Sequence, residues 1–248
     1  MEERENEMKQ KKTGISAEKQ EQWILQGKYV ILAVLVGICV GIVDTIFGRG
    51  LLAISDFREQ YYRYLLPILP VAGLAIVWMY QRFSSLSLKG MTLVFEVGQK
   101  KREEIPLALV PLVMIGTWIT HLFGGSAGRE GAALQLGGSV GSVLGRVFRL
   151  AERDKQVLML CGMSAAFSAI FRTPIAAPVF AMEVVCVGAM RYAALVPCTI
   201  ASLTASWLAG KCGIPLAKYT IGEIPAFPVV PSLKILLLGV CCAAVSIL

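Results

Sequence analysis

The stretch GGSAGREGAALQ, residues 124–135, lies between two long apolar segments and decides the fold of the chain. Four glycines within its first eight residues allow backbones to approach closely and N–H groups to turn inward. Within this loop the guanidinium of Arg129 stands next to the carboxylate of Glu130. A helical pattern begins directly afterwards, so a helix N-terminus is predicted here, and its unpaired N–H groups and dipole favour an anion. A carboxylate held there can occupy the place of the anion.

The composition is that of a membrane protein. Of the 248 residues, 56% are hydrophobic, and the mean hydropathy of +0.65 predicts a polytopic helical membrane protein. A soluble enzyme with a large core is the alternative. The net charge of +7 comes from basic residues spread over many loops, as in membrane proteins with cytoplasmic positive charge. No basic cluster alternates with aromatic residues, so no nucleic-acid partner is expected.

The first half of the chain is predicted to contain a polar tail and four apolar segments of unequal length. The polar tail, at residues 1–27, is expected to be cytoplasmic. Predicted helices cover residues 28–47, 65–83, 90–96 and 106–123. Asp44 lies near the far end of the first of these helices, where a charge in a membrane costs least. The segment at residues 90–96 is too short to span a bilayer, so protein or a water-filled cavity is expected to surround it.

The chain after the glycine loop continues with broken apolar segments. Predicted helices cover residues 131–148, 156–171, 174–187 and 192–209, and after a loop at 211–230 a final apolar run covers 231–248. Gly137, Gly141 and Gly145 recur every four residues, which predicts a face for close helix packing. Broken helices are typical of transporters and channels, in which helix ends point at a site near the membrane midplane. Because the chain ends within an apolar run, we expect it to be the N-terminal portion of a longer protein.

Two motifs resemble the CLC family of chloride channels and anion/proton antiporters. Residues 128–132, GREGA, resemble the family signature GREGP, and residues 171–183, FRTPIAAPVFAME, resemble a later segment of the same family. The resemblance implies an all-α integral membrane protein with broken and tilted helices. It implies that residues 28–230 form the first of two inverted repeats and that residues 231–248 begin the second. It also implies a homodimer in a lipid bilayer, with a separate ion pathway in each subunit.

Three departures from the family pattern indicate one branch of the family. Met91 stands where the family has the serine of a GSGIP motif, Ala132 replaces the signature proline, and Val184 replaces an internal glutamate. Together they resemble the fluoride-exporting branch, whose members exchange cytoplasmic fluoride for external protons. The resemblance therefore implies fluoride/proton antiport by a multi-pass protein of the bacterial plasma membrane. A chloride channel or a chloride/proton antiporter of the same family is the alternative.

Glu130 is the predicted proton-carrying gate. An ionisable side chain at membrane depth is a functional hypothesis by default, and a structural salt bridge with Arg129 is the alternative. When ionised, Glu130 competes with the anion for the N–H groups, and when protonated it swings away and carries a proton. Glu183 and Asp44 are interpreted either as functional groups or as residues at a membrane edge.

Residues of the glycine loop and Met91 are the candidate anion ligands. The predicted anion-binding residues are Met91, Gly128, Arg129, Gly131, Ala132 and Ala133. A methionine on a short apolar helix usually serves packing, and only the resemblance makes Met91 a pore residue. Its thioether cannot donate the hydrogen bond that a serine hydroxyl gives to chloride, which lowers the expected preference for chloride. For Arg129, a purely structural ion pair is the favoured interpretation.

No enzymatic activity is expected of this chain. It has a single histidine, His121, and none of its seven cysteines belongs to a CxxC pair, so no metal site is predicted. It contains no HExxH, GxSxG or P-loop motif. No cofactor is expected.

Overall fold

The chain is built from helices in the computed structural model, which describes residues 2–99, 101, 105–185, 188, 190–214 and 229–247. The described residues form nine α-helices and no β-strand, which agrees with the predicted all-α class. The helices are α1 (Glu2–Leu65), α2 (Leu69–Phe83), α3 (Met91–Gly98), α4 (Leu109–Leu122), α5 (Arg129–Val147), α6 (Glu152–Phe171), α7 (Ala176–Val185), α8 (Leu195–Lys211) and α9 (Val229–Ile247). Short 3₁₀ turns cover Leu66–Ile68, Ser85–Lys89 and Tyr192–Ala194.

The first helix is longer than predicted. α1 runs through the predicted tail and the predicted membrane helix to Leu65, with non-helical backbone angles at Tyr61 (φ −120°, ψ 17°). The predicted end of the first membrane helix at residue 47 was therefore wrong. The charged residues that suggested a loop, such as Arg58, have good helix propensity. Helix α4 also holds this part of α1, since the Trp118 indole Nε1–H donates to the Phe47 carbonyl oxygen at 3.1 Å.

Prolines and glycines set several of the other helix boundaries. Pro70 lies in the first turn of α2, directly after the 3₁₀ turn that contains Pro67. Gly90 caps the start of α3 with a φ of +52°, which is costly for a residue that carries a Cβ atom. α6 ends at Arg172, which adopts the left-handed conformation (φ 58°) just before Pro174. A helix break was predicted at this position.

Helix α6 lies at the centre of the fold and packs against α5, α8 and α1. The backbones of α5 and α6 meet at Gly137 and Gly162, where a Cβ atom on either glycine would overlap the carbonyl oxygen of the other. An added Cβ at Gly141 would overlap the backbone of α6, and one at Gly145 would lie 3.1 Å from the Lys155 Cγ. The predicted packing face of three glycines is therefore confirmed, because each of them lies against α6.

Helices α1 and α8 also pack closely. An added Cβ at Gly37 would lie 2.7 Å from the Ala201 carbonyl oxygen, and one at Gly41 would lie 3.3 Å from the Ala205 Cα. Asp44 follows Gly41 by three residues and is 0% exposed. Other helices cover this carboxylate, and the interpretation of Asp44 as a functional group or as a residue at a membrane edge stays a prediction.

Among the described residues, two segments are long and apolar enough to cross a membrane, Gly27–Phe83 and Tyr192–Lys211, and three shorter apolar helices accompany them. The chain divides into two units, residues 1–216 and residues 217–248. Helix α9 belongs to the second unit, and its side chains from residue 231 to residue 246 are exposed. The predicted division into residues 1–27, 28–230 and 231–248, and the assignment of repeats to them, stay predictions.

Candidate functional site

The glycine loop begins with a tight turn at the end of α4. The Gly124 N–H donates to the His121 carbonyl oxygen at 3.2 Å, and the Gly125 N–H donates to the Thr120 carbonyl oxygen at 2.8 Å. Gly124 has a φ of +78°, and an added Cβ at Gly125 would lie 2.7 Å from the Thr120 Cγ2. Both positions therefore require glycine, one for its backbone conformation and the other for space. The turn sends the chain across to the start of α5.

Gly128 is the N-cap residue of α5, with extended backbone angles (φ −71°, ψ 143°) and no side-chain cap. The first N–H groups of a helix have no partner within the helix, and here the cap residue has no side chain that accepts from them. The N–H groups without a helical acceptor are those of residues 128–131. Together with the dipole of a helix of 19 residues, they favour a negative group at this position.

Glu130 lies in the first turn of α5. The sequence placed it inside the loop, with the helix starting at residue 131, and the structure corrects this start to Arg129. The carboxylate folds back towards the helix start, since an added Cβ on Gly128 would lie 2.7 Å from the Glu130 Oε2. A carboxylate beside the free N–H groups of α5 is in the position where the sequence predicted it to replace an anion.

The earlier start of α5 weakens the case for two of the predicted anion ligands, Ala132 and Ala133. Gly128 and Gly131 keep N–H groups outside the helical ladder, whereas those of Ala132 and Ala133 fall within it, because a helix that begins at Arg129 pairs them with carbonyl oxygens four residues back. The methyl groups of both alanines are buried, 6% and 0% exposed, and contribute to packing. Ala132 and Ala133 therefore stay predictions with less geometric support than Gly128 and Gly131.

Arg129 is exposed at the first position of α5. The predicted salt bridge between Arg129 and Glu130 is not among the ion pairs of the described residues, which join Lys28 to Asp154, Lys89 to Glu96 and Lys155 to Glu152. The carboxylate of Glu130 therefore lies at the helix start without a guanidinium partner in the described part of the chain. This geometry favours interpreting Glu130 as a mobile group rather than as half of a structural pair.

Met91 lies at the first position of α3, directly after the positive-φ residue Gly90. Its side chain is half-buried against the core, and an added Cβ on Gly131 would lie 3.7 Å from the Met91 Cγ. The starts of α3 and α5 therefore meet, as the predicted site requires. Sequence reasoning missed Gln135, whose Oε1 would lie 3.7 Å from a Cβ on Gly90. Gln135 follows Gly131 by four residues, so the two lie on the same face of α5. This spacing could have identified Gln135 from the sequence.

A cavity of about 330 Å³ adjoins these helix starts. It lies between α2, α4, the turn before α3 and the start of α5. Its polar lining residues are Tyr80, Ser87, Thr117, Thr120 and Gln135. The cavity reaches Gly90 and Ala127, so a hydrated ion has space next to the two helix starts.

Two further predicted residues lie outside this site. Glu183 accepts a hydrogen bond from the Gly188 N–H at 2.8 Å, beside the end of α7. Val184 is half-buried against the core. The position at which the family pattern has an internal glutamate is therefore occupied here by a side chain that only packs.

Comparison with known proteins gives a family for this arrangement. The profile of the family described as voltage gated chloride channel matches residues 72–248. A chloride/fluoride channel protein of Pseudomonas syringae pv. tomato is 37% identical over 197 residues, which are 79% of this chain and 43% of that protein. The crystal structure of a CLC-type fluoride/proton antiporter is 40% identical, with a TM-score of 0.78, and covers 87% of this chain and 54% of the other.

A more distant structure supports the fold alone. A slow cyanobacterial Cl⁻/H⁺ antiporter matches with a TM-score of 0.65 and 20% sequence identity, over 86% of this chain and 53% of the other. The chain spans about half the length of the relatives it matches. Because the family profile covers most of the residues, including both helix starts of the site, the chain belongs to the voltage-gated chloride channel (CLC) family of integral membrane proteins.

Proposed function

We propose that this protein exports cytoplasmic fluoride in exchange for external protons. The observation that carries the proposal is the carboxylate of Glu130, which folds back over the uncapped start of α5. Two relatives at 37% and 40% identity are described as a chloride/fluoride channel protein and a fluoride/proton antiporter. Transport of fluoride or chloride ions together with protons is therefore the activity that the site and its relatives support best.

Glu130 acts as the gate because it has the same charge as the ion. The ionised carboxylate takes the place of the anion beside the N–H groups of residues 128–131 and excludes it. A proton removes this attraction, so the side chain leaves the helix start and the anion enters. Each cycle of departure and return moves a proton in one direction and an anion in the other, which couples the two fluxes.

Met91 favours fluoride by withholding a donor from chloride. Its thioether offers no hydrogen bond to an ion at the start of α3, where the family pattern has a serine hydroxyl. Fluoride is small and strongly hydrated, so close donors must replace its water. The N–H groups of residues 128–131 supply such donors in this proposal.

The working protein is proposed to be a homodimer in the bacterial inner membrane, with residues 28–230 as the first of two inverted repeats. Each subunit would carry a complete ion pathway that the second repeat closes. The lipid bilayer then surrounds the long apolar segments Gly27–Phe83 and Tyr192–Lys211.

Ion efflux from liposomes that contain the full-length protein tests this function. Fluoride and chloride electrodes and a pH probe are read together. We expect fluoride efflux with proton uptake and little chloride flux. Chloride efflux equal to fluoride efflux would move the protein to the chloride channels and chloride/proton antiporters of the same family. If neither ion were transported, the proposed transport function would be wrong.

Replacement of Glu130 by Gln tests the gate in the same liposomes. Glutamine keeps the size of the side chain but neither ionises nor carries a proton, so fluoride efflux should continue without proton movement. Glu59→Gln, at an exposed glutamate of α1, is the matched control and should leave the coupling unchanged. Fully proton-coupled efflux in Glu130→Gln would show that another residue carries the proton.

A further inference from the structure

Asp44 is a carboxyl group that the proposed transport mechanism does not use. It lies in α1, within the long apolar segment Gly27–Phe83. Its side chain is 0% exposed, and neither Oδ1 nor Oδ2 has a hydrogen-bond partner among the described residues. Glu130, by contrast, is exposed at a helix start. The chain thus holds two carboxyl groups in opposite environments.

The surroundings of Asp44 are apolar. On its own helix, Val40 and Phe47 precede and follow it by about one turn, and both are buried. Helix α8 passes the same part of α1, since the Leu208 Cδ2 would lie 3.1 Å from a Cβ added at Gly41. Ile214, which follows α8, approaches the next turn of α1, and its Cδ1 would lie 3.2 Å from a Cβ added at Gly48. Aliphatic side chains therefore line this part of the interface.

Two polar donors at this part of α1 are already bound to other groups. The Thr45 hydroxyl donates to the Gly41 carbonyl oxygen at 2.6 Å. The Trp118 indole N–H of α4 donates to the Phe47 carbonyl oxygen at 3.1 Å. Neither group is available to stabilise a negative charge on Asp44.

Charged and titratable groups of the neighbouring helices do not pair with Asp44. The helices that pack against α1 are α4, α5, α6 and α8. Their titratable side chains are His121 on α4, Arg129, Glu130 and Arg146 on α5, Glu152, Arg153, Asp154, Lys155 and Cys161 on α6, and Cys198 and Lys211 on α8. No cation among these described residues lies within 4.0 Å of the Asp44 oxygens, since the ion pairs of the described chain involve other acids.

An ionised carboxylate in such an enclosure is strongly unfavourable, because it loses its hydration and gains neither a donor nor a cation from the described residues. A metal ion would need several ligands, and the described residues contain no group of three or more side chains that could hold one. A bound proton needs no further ligand. It removes the charge, and the protonated carboxyl group can donate a hydrogen bond to a carbonyl oxygen one turn back in α1. The Thr45 hydroxyl makes such a hydrogen bond to the Gly41 carbonyl oxygen.

We propose that Asp44 is a second proton-binding site of this protein, which holds the carboxyl group as the neutral acid within α1. The site is separate from Glu130 and does not depend on which anion is transported. An ionised Asp44 would place a charge inside the packed interface of α1 and α8. Proton release from this residue therefore requires these two helices to separate or water to enter between them.

Infrared spectroscopy of the purified full-length protein at neutral pH tests the proposal. A protonated carboxyl group has a C=O stretching band well separated from that of a carboxylate. We expect this band in the unmodified protein, its loss in Asp44→Asn, and its persistence in Asp56→Asn, where the same change is made at an exposed aspartate of α1. If Asp44→Asn does not fold, the unmodified protein is labelled with ¹³C at the side-chain carboxyl of aspartate. We then expect the band to shift.

Absence of the band from the unmodified protein would overturn the proposal, and so would a band that Asp44→Asn leaves unchanged. This readout contains no transport step, so a failure of the Asp44 site is distinguishable from a failure of fluoride/proton exchange. Transport by Asp44→Asn gives a second check. The amide resembles the neutral acid in size and charge, so fluoride efflux should be retained, whereas its complete loss in a folded variant would show that the charge of Asp44 is required.

Discussion

At the scale of single residues, Gly128 determines where the carboxylate of Glu130 can rest. An added Cβ on Gly128 would lie 2.7 Å from the Glu130 Oε2, although the φ of −71° is suitable for alanine. The contact is with the end of a flexible side chain, so this side chain will move and the backbone will not. Gly128 therefore keeps space for the carboxylate beside the helix start.

Gly128→Ala is expected to weaken proton coupling while leaving the fold intact. The methyl group displaces the Glu130 carboxylate from the start of α5, so fluoride efflux should depend less on protons and move towards the behaviour of Glu130→Gln. The free energy of unfolding should change by less than about 0.5 kcal/mol, as for most surface substitutions. Fluoride and proton fluxes in liposomes, together with thermal unfolding in detergent, measure both quantities.

The matched control for this substitution is Gly73→Ala on α2. An added Cβ at Gly73 has no atom within 4 Å, so both fluxes should be unchanged. If Gly128→Ala were as tightly coupled as Gly73→Ala, the position of the carboxylate seen here would have no part in gating.

At the scale of helices, the contact of α5 with α6 depends on glycines on both sides. A Cβ at Gly162 would overlap the carbonyl oxygen of Gly137, and backbone atoms of a packed helix cannot move aside without shifting the whole helix. At Gly145 an added Cβ would lie 3.1 Å from the Lys155 Cγ and 3.2 Å from the Lys155 Cα, so a shift of a few tenths of an ångström would relieve the contact. The same change at these two positions therefore has different consequences.

Gly162→Ala is expected to lower the free energy of unfolding by about 1–3 kcal/mol, the usual cost of overpacking, even after the better helix propensity of alanine is included. Gly145→Ala should cost less, and Gly73→Ala should be neutral or stabilising by up to about 1 kcal/mol. Unfolding temperatures of the three variants in one detergent give this order. Equal stability of the Gly162 and Gly145 variants would show that the backbone contact of Gly162 with Gly137 is no more restrictive than the contact of Gly145 with Lys155.

At the scale of the whole molecule, a polar contact joins the beginning of the long apolar segment to the centre of the fold. The Tyr29 hydroxyl of α1 donates to the Asp154 carboxylate of α6 at 2.5 Å, and the Lys28 Nζ lies 3.4 Å from the same carboxylate. The Asp154 side chain is 15% exposed and the Lys28 side chain is 45% exposed. The hydroxyl contact is therefore expected to be the stronger of the two.

Tyr29→Phe should lower the free energy of unfolding by about 1.5 kcal/mol, the lower end of the range for hydrogen bonds to charged groups, because the pair is partly exposed. Lys28→Met removes only an exposed ion pair and should cost less than about 1 kcal/mol. Thermal unfolding in detergent compares the two variants with the unmodified protein. A larger effect of Lys28→Met would show that the ammonium group, and not the hydroxyl, secures α1 to α6.

Local signals in the sequence were sufficient for the break between α6 and α7, which was expected between residues 171 and 174. The spacing of Gly137, Gly141 and Gly145 predicted close helix packing, which lies against α6. These predictions depend on the backbone geometry and side-chain size of proline and glycine. Both properties are the same in every structural context, so the sequence alone reveals them.

The sequence by itself determined the all-α membrane class, since hydropathy is a local property. It also predicted the helix start that favours an anion and its carboxylate, from the spacing of the glycines and a single acid in an apolar region. Only the tertiary structure decided that α1 continues past residue 47, that α5 begins at Arg129, and that the starts of α3 and α5 meet at Met91 and Gly131. It also decided that Asp44 is enclosed. The physical reason is that desolvation and close contact depend on which helices cover a residue, and these helices are distant in sequence.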